Sequence, residues 1–159
     1  MTLIIRFSLC CLLSGFVLIG CKHQKLPDDI PQLHNVSVTV LQDTKPTEKA
    51  LVMFYPIDKN SRWTAGGQTN GNGAVKLMTH GLYQGVVAGE YYVTISKIWT
   101  NENATEKIDA NTMIHQRYHL IDPKFELPET TPLKIQIEKE TSISFDVGQA
   151  VKIRIPYVQ

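Results

Sequence analysis

The sequence predicts an all-β domain, an antiparallel β-sandwich of about seven strands. Three features point there. Apolar residues recur with period two along most of the chain, turn-forming residues separate these stretches at short intervals, and no stretch sustains a helical stripe. Alternation of this kind gives each strand one apolar and one polar face, as in a sheet covered on one side.

The strands follow in order. Val36, Val38 and Val40 alternate with Ser37 and Thr39. Leu51 to Tyr55 is a fuller apolar run, which predicts a more buried strand. Val75 and Leu77 flank Lys76 in the third. Tyr91 to Ile98 forms the fourth, with Val93 and Ile95 on one face and Tyr92, Thr94 and Ser96 on the other. Trp99 ends it, as an edge or loop anchor. Leu133, Ile135 and Ile137 alternate with Lys134, Gln136 and Glu138 in the fifth, and Ile143, Phe145 and Val147 form the sixth. Val151, Ile153 and Ile155 alternate with Lys152 and Arg154 in the seventh, which stops at Pro156. Turn chemistry parts them: Asp43-Thr44-Lys45-Pro46, Asn70-Gly71-Asn72-Gly73, the glycines Gly81, Gly85 and Gly89, Glu138 to Thr141, and Gly148-Gln149. The best helix candidate is Asn103 to Gln116, with Ala104, Ile108 and Ile114.

The N-terminus has a different composition. Arg6 precedes an apolar run from Phe7 to Ile19, interrupted only by Ser8, Ser14 and Gly15. That run is shorter than the ~20 residues needed to span a bilayer. Leu18-Ile19-Gly20-Cys21 closes it and polar sequence begins at once. This resembles the lipobox of a bacterial lipoprotein signal. The resemblance implies that residues 1–20 are removed as a signal peptide and that Cys21 carries a diacylglyceryl thioether and a fatty amide. Several chains on one residue anchor stably to a membrane. Lys22, where aspartate would favour inner-membrane retention, points to the outer membrane of the cell envelope. Residues 21–32, with Pro27 and Pro31, then read as a lipidated cysteine and tether, and 33–159 as the single domain.

The cysteines are Cys10, Cys11 and Cys21, all in or at the signal. A processed domain has no thiol left for a disulfide, a cysteine zinc site or a nucleophile. The chain has 16 basic and 15 acidic residues, and Arg6 is lost with the signal. That balance gives no electrostatic case for nucleic acid.

Gly67 to Leu77 followed by Val87 to Ile95 resembles the carboxypeptidase regulatory-like and transthyretin-like sandwich domains. Their hallmark is a Thr-Asp-x-x-Gly turn, a short strand, then a Gly-x-Tyr-x-Val strand. Here Thr69 begins the turn, Asn70 caps it through its side chain, and Gly73 takes the left-handed position. Gly89 admits the chain tightly into the next strand, and the aromatic two residues later packs on the core. Asn70 stands where aspartate is usual, keeping the acceptor and losing the charge. Ser61 to Gly67, Leu120 to Phe125, Thr130 to Leu133 and Phe145 to Val147 are similar to small lipoproteins of planctomycete-type bacteria, which carry one such domain behind a lipobox. The molecular role of those proteins is generally unassigned. In larger proteins such domains are accessory, aiding folding, surface display, or carbohydrate and protein contact.

No catalytic set stands out, and a non-enzymatic protein without cofactors is expected. The transthyretin-like fold includes hydroxyisourate hydrolase, which uses histidine and arginine and ends in Tyr-Arg-Gly-Ser. This chain ends Arg154-Ile155-Pro156-Tyr157-Val158-Gln159. Nor does it show a nucleophile elbow or a close carboxylate pair. His115 and His119, four apart, are the candidate metal pair, with Asp109 and His80 as further ligands. The alternative is a polar loop leading into Tyr118-His119-Leu120-Ile121. Arg62, Trp63 and Tyr83, with His80, flank the third strand and are the candidate binding residues, since Arg, Trp and Tyr are enriched at interface hot spots. The preferred alternative folds Trp63 over the end of the core, with Arg62 stacked or paired outside it. The expected partners are the membrane, through lipid on Cys21, and an envelope protein or glycan. A metal-binding periplasmic lipoprotein and a hydroxyisourate hydrolase-type enzyme are the competing functions.

Overall fold

The structure is a computed structural model that describes residues 27–107 and 113–157. The expected signal, Cys21, Lys22 and Asp109 lie outside the described residues. Along the chain run β1 (Leu33–His34), β2 (Val36–Gln42), β3 (Lys45–Pro46), β4 (Leu51–Pro56) and β5 (Ala65–Gln68). Then come β6 (Ala74–Lys76), β7 (Met78–Thr79), β8 (Tyr83–Gln84), β9 (Val86–Val87) and β10 (Gly89–Ser96). β11 (Ile98–Lys107), β12 (Met113–His119), a 3-10 turn at Pro123–Phe125, β13 (Lys134–Ile137), β14 (Thr141–Asp146) and β15 (Ile153–Arg154) complete the described residues.

Two sheets face each other. One has six antiparallel strands in the order β13-β10-β4-β5-β7-β8. The other runs β14-β2-β3, with β6 also paired to β2. The alternation read from the sequence decides what lies between them. Val36, Val38 and Val40 of β2 are buried against Val52 and Phe54 of β4 and Tyr91, Val93 and Ile95 of β10, in one core that also takes in Leu77, Ile137 and Val147. The Phe54 and Tyr91 rings meet at 5.8 Å. The all-β sandwich is therefore as predicted, and each of the seven expected strands has a counterpart. One pair departs from the antiparallel pattern: β14 runs parallel to β2, from Thr141 opposite Val36 to Asp146 opposite Leu41. The short turn after Ile137 carries the chain from the first sheet straight to the second, so β14 arrives beside β2 without reversing along it.

Within the helix candidate Asn103 to Gln116, the described residues 103–107 and 113–116 are strand, and Ile108 lies outside the described residues. β11 and β12 form a hairpin, with a bulge between Asn101 and Thr105. The segment lacks an apolar helical stripe, and cross-strand pairs such as Trp99 with Tyr118 bind it as a ribbon instead. The seventh expected strand shrinks to Ile153–Arg154 on the edge of this hairpin, and Ile153 is exposed rather than core.

β5 is Ala65-Gly66-Gly67-Gln68, a strand with almost no side chains, and its glycines explain how the layers close. A Cβ on Gly66 would lie 2.2 Å from Met53 Sδ, and one on Gly67 would lie 2.6 Å from Val75 Cγ2 in the facing sheet. Bare backbone is what fits there. The following turn has the expected chemistry. Asn70 Oδ1 accepts from Asn72 N at 2.9 Å and Ala74 N at 3.1 Å, and Gly73 sits at φ 69°. Tyr91 is buried, and its hydroxyl donates to Val87 O at 2.7 Å, an arrangement like the tyrosine corner of other sandwiches. Burial pushes this hydroxyl's pKa up to about 12.

Two outcomes follow from this packing. Gly67→Val should lower stability by about 1–3 kcal/mol through overpacking, measured by urea unfolding, whereas Gly71→Ala, which meets nothing within 4 Å, should be nearly silent. Tyr91→Phe should cost about 1–2 kcal/mol by orphaning the Val87 carbonyl. The neutral Tyr91 hydroxyl is favoured by the fold, so its contribution is intact below pH 10 and is lost as pH climbs toward 12. Unfolding across that range should show a shallower fall for Tyr91→Phe than for the wild type.

Candidate functional site

The strand register defines two ends of the sandwich. β10 runs antiparallel to β4, with Tyr91 opposite Pro56 and Ser96 opposite Leu51. At the Pro56 end the chain leaves β4, passes through residues 57–64 and re-enters at Ala65, which pairs with Thr79 of β7. The loop carrying Arg62 and Trp63 and the turn carrying His80 therefore share one end. β11 starts from the opposite end of β10, a separation of about 23 Å along a strand of this length.

The loop end brings together residues picked out from the sequence. The Arg62 guanidinium lies 4.7 Å from the Trp63 ring centroid, and Trp63 stacks on His80 at 5.3 Å with 25° between the planes. His80 reaches this position at φ 53°, and its Nε2 is 2.9 Å from Arg62 O. Arg62 Nη2 donates to Asp29 Oδ2 at 2.6 Å. Asp29, Arg62, Trp63 and His80 are thus joined in one series of contacts, and the indole is half-buried. Arg62 is therefore both stacked and paired. Tyr83 lies on β8 opposite Thr79, half-buried, one turn along the same hairpin. Asp29, expected as tether, is held against the domain, and nothing local in its sequence marks the partner that holds it.

The opposite end has an aromatic face that was read from the sequence only as a Trp99 anchor. Trp99 and Tyr118 are cross-strand partners with ring centroids 5.6 Å apart. Lys152 Nζ sits 4.6 Å from the Trp99 centroid and 4.9 Å from that of Tyr118. The Tyr118 hydroxyl donates to Gln116 Oε1 at 2.8 Å, and Arg154 pairs with Glu106 on the same face. Trp99 remains 40% exposed, a large aromatic group left in water on the ribbon. The signal that could have found this face is the period-two spacing of Gln116 with Tyr118 and of Lys152 with Arg154, once the ribbon is known to be β.

The histidines do not converge. His115 and His119 lie on one strand, β12, so their α-carbons are about 13 Å apart rather than one helical turn. His119 Nδ1 instead meets Glu126 Oε1 at 2.8 Å, and His80 is committed to the Trp63 stack. Among the described residues no group of three His, Cys, Asp or Glu side chains is placed to hold a metal. Asp122 caps the turn at Pro123–Phe125, and hydrogen bonds from Lys124 N and then the Lys124 side chain hold its carboxyl below the usual range.

No family model matches the chain, and no curated protein matches it. Among solved structures it is similar to a 9R-lipoxygenase from Cyanothece PCC8801, at 12% identity and a TM-score of 0.30, over 79% of this chain and 18% of the lipoxygenase. The chain thus spans 18% of that protein's length, and a likeness of this size carries no argument about activity.

Exposed ion pairs contribute little. Asp29→Asn should lower stability by about 1 kcal/mol or less, while freeing the Pro27 to Gln32 stretch to faster cleavage in limited proteolysis.

Proposed function

We propose that the protein is a lipid-anchored, non-enzymatic accessory domain of a bacterial cell envelope, of the transthyretin-like and carboxypeptidase regulatory-like kind. Its role is to hold a binding face at a membrane surface, for an envelope protein or a glycan. The observation that carries this reading is Leu18-Ile19-Gly20-Cys21 placed directly ahead of a polar stretch and a closed sandwich. The turn from Thr69 to Gly73 and the buried Tyr91 support the family likeness, because both have the geometry that the resemblance implies.

Of the two aromatic ends, the Trp99 face suits a macromolecular partner better. Arg62 is already engaged by Asp29, and His80 by the Trp63 ring and Arg62 O. Trp99 and Tyr118 are set by strand pairing, Lys152 lies over both rings, and Trp99 remains open to solvent. Rigid aromatic groups lose little entropy on contact, and an anchor raises the effective concentration of the face toward other envelope components.

Replacement of Cys21 by Ala should move the protein from the membrane fraction to the soluble fraction and remove the lipid mass from its N-terminal peptide. A variant that still pellets with membranes would end the lipid-anchor reading. Crosslinking in cells followed by affinity capture of the lipidated protein should return one near-stoichiometric partner, and that yield should fall with Trp99→Ala.

A further inference from the structure

We propose that the end of the sandwich formed by Arg62, Trp63, His80 and Leu82 seats on the lipid surface that holds Cys21, leaving the Trp99 face pointing away from the membrane. This rests on the lipid-anchor reading above.

Three observations converge on that orientation. The first is where the chain leaves the domain. Asp29 is ion-paired with Arg62, and β1 pairs with β9 beside the start of β10, so the N-terminal stretch departs from the loop end. The second is reach. Between Cys21 and Pro27 the chain spans at most about 22 Å even fully extended. An anchored Cys21 therefore keeps this end near the headgroups, while the far end lies a further strand length away. The third is chemistry. Leu82 is 55% exposed in the β7–β8 turn, where its N–H donates to Thr79 O at 3.1 Å. The same turn carries His80, on which the Trp63 indole stacks, and the Arg62 guanidinium lies over that indole. An apolar tip backed by Trp, Tyr and Arg is the set of side chains that settles at the boundary between headgroups and acyl chains. A lipid on one residue leaves the domain free to turn. A second, individually marginal contact within reach of that lipid selects one orientation, because it forms at high effective concentration.

The chain holds two tryptophans, Trp63 and Trp99, one at each end of the molecule, so each can report separately. The lipidated protein is placed in phosphatidylethanolamine–phosphatidylglycerol vesicles containing lipid brominated high on the acyl chain. In the Trp99→Phe protein, Trp63 emission should shift to the blue and lose about half its intensity on vesicle binding. In the Trp63→Phe protein, Trp99 emission should be unquenched. Leu82→Asp in the Trp99→Phe protein should float equally with vesicles yet quench less. Circular dichroism identifies any variant that has not folded, and phenylalanine keeps an aromatic ring at either site. Unquenched Trp63 in protein that floats, or equal quenching of both tryptophans, overturns the orientation and leaves the anchor standing. Protein without lipid mass that fails to float overturns the anchor and the orientation together.

Discussion

The pairing of β10 on both edges is the constraint on which the rest of the molecule depends. β4 lies along one side of it for six consecutive residue pairs, and β13 lies along the other. Its inward residues Tyr91, Val93 and Ile95 meet β2 across the core. A slip of one residue would turn those three away from β2 and put Tyr92, Thr94 and Ser96 in their place. The Tyr91 hydroxyl opposes such a slip, because it is bonded to Val87 O just before the strand begins. The same strand sets the distance between the Trp63 and Trp99 ends, so register error would disturb both surfaces as well as the core.

Closing two sheets over a core leaves backbone groups at the corners, and buried threonines satisfy many of them here. Thr69 Oγ1 donates to Thr47 O at 2.6 Å and accepts from Ala50 N at 2.8 Å. Thr79 Oγ1 donates to Gly85 O, and Thr131 Oγ1 donates to Val93 O. Each hydroxyl replaces water for a carbonyl that the sheet ladder does not use. No buried side-chain polar atom among the described residues is left without a partner. The bonds also link segments distant in sequence, which makes the loops at both ends firm mounts for the side chains they carry.

Much of the sandwich was legible because its strands have one wet and one dry face. Val36-Ser37-Val38-Thr39-Val40 could be read directly, and so could Leu133 to Glu138. The reading weakened where burial no longer wrote the pattern. The β11–β12 ribbon buries neither face fully, so Asn103 to Gln116 carries no period-two apolar signal and resembled a poor helix. β5 is half glycine and has no hydrophobic face to read, although its need for glycine is among the tightest steric demands in the fold. At the candidate site the cluster of Arg62, Trp63 and His80 was within reach of the sequence, since all three border the third strand. Asp29 was not, because it is 33 residues from its partner and only the tertiary fold joins them. The His115 and His119 spacing was the opposite case: it puts both on one face of a helix or of a strand, and the strand that forms spaces them too widely to share one ion.

The two aromatic ends differ in what holds them, and that difference bears on what each can do. Trp63 sits in a loop stack closed by an imidazole and a guanidinium, and the guanidinium is tied to the stretch that leads back toward Cys21. Its geometry is coupled to the N-terminal stretch through Asp29. Trp99 sits in a strand ladder, with its orientation set by pairing to Tyr118 and by Lys152 above both rings. That ladder is independent of the N-terminal stretch and stands beyond the far end of β10. A protein fixed by one residue to a membrane must present any partner surface on the side its anchor does not occupy. On the proposed orientation the loop end would take the anchor and the ribbon the partner, and about 23 Å of paired strand would keep the two contacts from competing.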